Sequence, residues 1–130
     1  MKKHLKMCLV LFAIGIFISC SSTKTGSQYV KTELFFGLSQ SNSDISEKQW
    51  KDFKKDFIDK KFSGYTEVEC NGFWIDDDNN SLSEKCKMII YLNKGSKEDS
   101  LAIVYVINNY KKVFNQESVL KVETRVYASF

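Results

Sequence analysis

Apolar side chains recur along this chain with two different periods. From Val30 onward Val30, Thr32, Leu34, Phe36 and Leu38 alternate with Lys31, Glu33, Phe35 and Gly37, which predicts a first strand with one buried side. After the turn-rich residues 39 to 44 the spacing changes. Trp50, Phe53, Phe57 and Ile58 form an apolar stripe at helical spacing, while Lys51, Asp52, Lys54, Lys55 and Asp56 stay in water. Ser46 followed by Gln49 predicts a capping box at the start of that helix, with Ile45 and Trp50 placed as a hydrophobic staple. Gly64 ends the segment. Thr66 to Trp74 predicts a second strand, Asp76 to Asn80 a turn, and Lys85 to Leu92 a third strand, so that the pair forms a hairpin. Ser96 with Asp99 repeats the capping pattern, and Ile103, Ile107, Tyr110 and Phe114 then follow at helical spacing. The β-branched residues Ile103, Val104, Val106 and Ile107 would suit a strand, but the cap and the length of the segment select a helix. Ser118 to Phe130 predicts a last strand with Leu120, Val122, Val126, Ala128 and Phe130 pointing inward.

Strand, helix, strand, strand, helix, strand is the βαββαβ order of an α+β, ferredoxin-like sandwich. One four-stranded antiparallel sheet then carries two helices on one face and leaves the other open. Strict alternation would send Glu33, Phe35, Phe73, Lys87, Tyr91, Arg125 and Tyr127 to the open face, an apolar centre with a charged rim suited to a protein contact.

The first residues have a different character. Lys2, Lys3 and Lys6 precede the 12 apolar residues Met7 to Ile18, too short a run for a spanning helix and the right length for an export signal. Ile18-Ser19-Cys20 resembles a bacterial lipobox, with Cys20 as the residue that is diacylated after cleavage. Two acyl chains give durable membrane attachment, since each buried methylene contributes about 0.8 kcal/mol. The expected organisation is a signal over residues 1–19, a lipidated cysteine and tether over 20–28, and one domain over 29–130. Ser21 after the cysteine favours an outer-membrane destination facing the periplasm if the source has two membranes.

Charge and histidine content narrow the chemistry. Of the 130 residues, 19 are basic and 16 acidic, but Lys2, Lys3 and Lys6 go with the signal, leaving 16 against 16 and no electrostatic case for nucleic acid. The single histidine, His4, goes with them, which excludes histidine bases, triads and histidine-ligated metal or haem from the mature chain. Asp76 to Asn80 suggests a calcium loop only at first sight, because Ser81 and Lys87 stand where a glycine and a bidentate Glu are needed. No metal and no cofactor is therefore expected. Cys70 and Cys86 remain in an oxidising compartment on adjacent strands, where either a cross-strand disulfide or two separate buried thiols would fit.

The stretch Thr32-Glu33-Leu34-Phe35-Phe36-Gly37, with Trp50, Phe53, Phe62, Gly64, Trp74, Tyr110, Phe114 and the run Gln116 to Leu120, resembles domain-of-unknown-function family 3574 over nearly the whole domain. The family's usual prolines near the end of the first helix are absent, and Asn115 stands where it has a glycine. Asn also tolerates the left-handed conformation needed there. The resemblance implies a small secreted or lipid-anchored α+β domain without an established activity.

Two functions follow. The first is a non-catalytic envelope module that binds an envelope protein or a second copy of itself through the open sheet face. The alternative is a small histidine-free enzyme using Glu33 or Glu117, carboxylates that lie within the two family-like motifs. Glu33 could equally pair with Lys121 or Arg125 on a neighbouring strand. The anchor is tested first: Cys20→Ser is expected to abolish palmitate incorporation and to release the protein from membranes or leave an uncleaved precursor. Palmitate labelling of the variant would exclude Cys20 as the acylated residue.

Overall fold

The computed structural model describes residues 25–40, 43–75 and 78–130, without the side chain of residue 74. The expected signal and Cys20 lie outside these residues, as do Asp76 and Asp77 of the expected turn. Among the described residues no helix is long and apolar enough to cross a membrane. The elements are β1 (Ser27–Gly37), α1 (Glu47–Phe53) running on into a π-helical turn (Lys54–Ile58), β2 (Thr66–Ile75), β3 (Ser81–Asn93), α2 (Lys97–Phe114) and β4 (Leu120–Ala128). The strands form one antiparallel sheet in the order β2-β3-β1-β4, so the α+β ferredoxin-like arrangement is as expected. β1 begins three residues before Val30, where the alternation starts, and takes Ser27 and Gln28 from the expected tether. β3 is longer than predicted, and with β2 it projects past the end of β1 as an arm.

Both helix starts are set by the predicted capping boxes. The Ser46 side chain accepts from the Gln49 amide while the Gln49 side chain accepts from the Ser46 amide, and Ser96 with Asp99 does the same. At the far end of α2, Asn115 takes the left-handed conformation, φ 51° and ψ 43°, as its substitution for glycine requires. The π-helical turn resolves an awkward feature of the sequence. Phe57 and Ile58 are neighbours, and a regular helix would turn one of them away from Phe53. The wider turn keeps Ile58 fully buried and Phe57 half-buried against the core.

The core is aromatic. Phe36 of β1 meets Trp50 and Phe53 of α1 and Tyr110 of α2 at ring separations of 5.3, 6.3 and 4.7 Å. Edge-on and tilted ring packing of this kind adds roughly 0.5–1.5 kcal/mol per pair beyond the area buried. The Tyr110 hydroxyl, fully enclosed, donates to the Gly37 carbonyl oxygen at 2.5 Å, so the polar end of this core ring is satisfied by the last residue of β1.

A buried lysine lies beside this core. Lys87 Nζ contacts Glu47 at 2.7 Å and Glu69 at 2.8 Å, with Glu67 at 4.0 Å. Glu67 in turn accepts from Trp50 Nε1 at 2.7 Å and pairs with Lys54. Burial acts to raise the Glu67 carboxyl, but the hydrogen bonds from Lys54 and Trp50 prevail and hold it below the usual range. Burial likewise acts to lower Lys87, and the bonds to Glu47 and Glu69 outweigh it. A carboxyl held lower in the folded state adds stability that is present at neutral pH and lost as pH falls through the folded value. The melting temperature is therefore expected to fall below about pH 4.5 more steeply in the wild type than in Glu67→Gln, which has no such proton to take up. Parallel acid titrations would contradict this.

The two cysteines are bonded, with Cys70 opposite Cys86 in the β2–β3 register and their Cα atoms 4.9 Å apart. Their sequence separation is 16 residues, for which chain entropy gives roughly 3 kcal/mol as an upper bound. The hairpin already restrains these ends, so the double variant Cys70→Ser/Cys86→Ser is expected to lose about 1–2 kcal/mol in a denaturant melt and to remain folded. Two alkylatable thiols in the natively purified wild type would contradict the bridge.

Candidate functional site

Facing residues of paired strands share one side of the sheet, so the register assigns every side chain from β1 outward. Leu34 and Phe36 are fully buried under the helices, and their partners on β3 are Ile89 and Lys87, with Tyr91 opposite Thr32. Lys87 and Tyr91, expected on the open face, are thus on the helix side and buried at 3% and 5% exposure. Tyr91 stacks on Phe62 at 4.2 Å and donates to Asp99 at 2.9 Å. The cause of the misassignment is visible in the run Met88-Ile89-Ile90-Tyr91-Leu92, which is apolar on both sides and gives no alternation to read. Arg125 and Tyr127 of β4 also belong to the helix side, opposite Val30 and Gln28. They remain exposed because β4 is the outer strand. Phe73, opposite Ser83, shares the Lys87 side and sits on the projecting arm at 68% exposure.

Glu33 and Phe35 are on the open side as expected. Glu33 pairs with Lys31 on its own strand at 3.1 Å, and neither Lys121 nor Arg125 shares its face. Around Phe35 the structure sets Met88 and Leu120, with Ile90, Val122, Val126 and Val68 beyond. The open face is therefore more apolar than the sequence suggested, and its composition is different. Leu120, Val122, Val126 and Ala128, expected to point inward, line it instead together with Met88 and Ile90, and Phe130, expected to point inward as well, is exposed.

At the Gly37 end this face hollows into a concavity of about 350 Å³ lined by Phe35, Gly37, Gly72, Glu84, Cys86 and Leu120 of the sheet, together with Gln116 and Ser118. It unites the two segments that carry the family resemblance, residues 32–37 and 116–120. Hydrogen bonds tie the chain just past the first segment to the chain at the start of the second, since Gln116 Nε2 donates to the Ser39 carbonyl at 2.7 Å and Gln40 Nε2 to the Phe114 carbonyl at 2.9 Å. Glu84 is the one carboxylate in the lining. The Ser39 amide donates to its Oε1 at 2.9 Å, and the carboxylate lies across Gly37 where a Cβ would come within 2.4 Å of Oε1. Gly37 thus makes the room in which Glu84 rests. Burial, followed by the Glu84 charge, pushes the Tyr110 hydroxyl beneath well above its ordinary value.

Among the described residues no lysine or arginine lines this concavity or pairs with Glu84. A second hollow of about 340 Å³, on the Lys87 side, has the opposite character, because its carboxylates Glu47 and Glu69 are already matched by Lys87. Of the carboxylates lining these two hollows, Glu84 is the one without an ion-pair partner among the described residues. Neither Glu33 nor Glu117 lines the Glu84 concavity. Glu84 was missed because it fell between the predicted turn and the predicted start of the third strand. A signal existed: once Cys70 and Cys86 are taken as facing partners, Gly72 must face Glu84, and a glycine inside a strand marks a close approach.

The fold and this site define a ferredoxin-like α+β domain with an uncovered apolar sheet face and an acidic recess at its edge. The chain belongs to the family described as protein of unknown function (DUF3574), whose model matches residues 31–130. Among curated protein sequences none matches. Two solved structures share the fold. A phage SAM lyase in complex with S-methyl-5′-thioadenosine aligns with a TM-score of 0.56 at 18% identity, over 77% of this chain and 90% of that one. A phage SAM lyase in the apo state aligns with a TM-score of 0.57 at 19% identity, over 82% and 94%.

The close approach at Gly37 is testable. Gly37→Ala is expected to cost less than about 1 kcal/mol, because the flexible end of Glu84 can swing away from the new methyl group. It should nevertheless break the Ser39 amide bond, seen as faster hydrogen exchange at Ser39. Unchanged exchange there would show that Glu84 does not rest on Gly37.

Proposed function

We propose that this chain is a lipid-anchored, non-catalytic binding module of the cell envelope that captures a small organic cation with an apolar or aromatic portion in the Glu84 concavity. One observation carries this reading. A carboxylate without a cationic partner among the described residues is held in place by a backbone amide among Phe35, Leu120 and Cys86, in a recess of ordinary ligand size. Phe35 offers apolar contact, Gln116 and Ser118 offer hydrogen bonds, and Glu84 supplies the opposing charge. The charged start, the short apolar run and Cys20 support the anchor, which would present the domain at a membrane surface.

The likeness to a phage SAM lyase is one of fold, and it recommends a probe. S-adenosylmethionine carries a sulfonium charge next to an aromatic nucleoside, whereas S-methyl-5′-thioadenosine has the nucleoside without the charge. Calorimetric titration of the wild type is expected to show tighter binding of the cation than of the neutral compound. Glu84→Gln is expected to weaken the cation at least ~10-fold while leaving the neutral compound unchanged, since the charge contact contributes about 1.5–3 kcal/mol. Absence of binding for both probes at millimolar concentration, or equal loss for both in the variant, would contradict the site. Release of S-methyl-5′-thioadenosine from the cation by the wild type would make the same recess an enzyme's.

A further inference from the structure

We infer that the uncovered face of the sheet is where two copies of this chain meet, packed sheet against sheet. The first ground is the polarity of β4. Its helix-side positions are Lys121, Glu123, Arg125 and Tyr127, while its open-side positions Leu120, Val122, Thr124, Val126 and Ala128 are apolar at all but Thr124. A sheet that only had to bury its helix side would have these two sets exchanged. Leu120 is 60% exposed and Val122 39%, continuous with Phe35, Met88, Ile90 and Val68 across the remaining strands. The charges in the middle of that surface, Lys31 and Glu33, neutralise each other, so no net charge there discourages association.

The second ground is size and charge. The β1–β4 register runs over nine facing pairs, Ser27 with Ala128 to Phe35 with Leu120. At ~3.3 Å per residue and ~4.8 Å between four strands, the face covers roughly 600 Å² in projection. Two copies would bury about 1,200 Å², the lower bound for a stable specific interface. Lys31 pairs with Glu33 within this surface, and Lys94 over the Tyr29 ring at one end is balanced by Glu84 at the other, so the face has no net charge with which to select an acidic or basic partner or an anionic lipid. It is complementary to itself: two such faces can close at the ~10 Å spacing of stacked sheets and exclude water from both apolar sets. Glu84 lies at the edge of the face, but Phe35 and Leu120 line both the face and the concavity, so a second copy packed here borders the recess.

The test uses the full chain. A photo-cross-linking amino acid at Val122, activated in intact cells, is expected to give a band of twice the mass, whose digest joins position 122 to a peptide of β1, β3 or β4 from a second copy. Adducts to lipid, adducts to a different protein, or no adduct would overturn the inference. Sedimentation of the detergent-purified full chain is expected to show a dimer, and Ile90→Lys/Val122→Lys a monomer with an unchanged near-ultraviolet dichroism spectrum. A wild type that sediments as a monomer at ~100 µM would overturn it as well, as would a folded variant that remains dimeric. If the variant loses its fold, the cross-link decides alone.

Discussion

A side chain on a strand can face only one side of its sheet, and the burial of Leu34 and Phe36 beneath the helices settles which side for all four strands. Once those two residues point inward, Ile89 and Lys87 must do so on β3 and Glu67 and Glu69 on β2, while Met88, Ile90, Leu120 and Val122 must point outward. The buried ion cluster, the apolar open face and the acidic recess are consequences of this single choice. A shift of one residue in the β1–β3 pairing would bury Met88 and Ile90 and cast Lys87 and Tyr91 into water, dissolving all three features together.

What holds the choice in place is the fit of Phe36 among Trp50, Phe53 and Tyr110, and the polar bonds that close around it. Tyr110 bonds the Gly37 carbonyl and Trp50 bonds Glu67, so each of these large rings has a fixed orientation as well as a buried body. Lys87 occupies the position opposite Phe36, where an apolar residue would be expected, and is tolerated because Glu47 of α1 and Glu69 of β2 meet it from two sides. The cluster ties α1 to the hairpin. The same geometry places Gly37, whose carbonyl faces Tyr110, directly under Glu84. The core and the candidate site therefore share a residue.

Local signals in the sequence were enough for the elements. The two capping boxes, the alternation of β1 and the left-handed Asn115 all lie where the residues predicted. Long-range pairing decided what was missed. The apolar run of β3 has no period of two, so its face is set by its partner and by the carboxylates that receive Lys87. β4 alternates clearly, but the sign of its alternation was read from the rule that apolar means inward, and that rule fails on a strand the helices do not cover. Glu84 was hidden for a related reason, because its neighbour Gly37 is 47 residues away in sequence. Both motifs that reach the recess were visible, while the carboxylate they surround was not.

The assignment of faces can be measured directly by nuclear Overhauser contacts in the isotope-labelled protein. The Phe35 ring is predicted to show contacts to the Met88 and Leu120 methyl groups and none to Trp50 or Tyr110, while Leu34 shows contacts to Ile89. Contacts from Met88 or Ile90 to Trp50 or Tyr110 would place β3 the other way round, and the acidic recess and the apolar open face would both have to be abandoned.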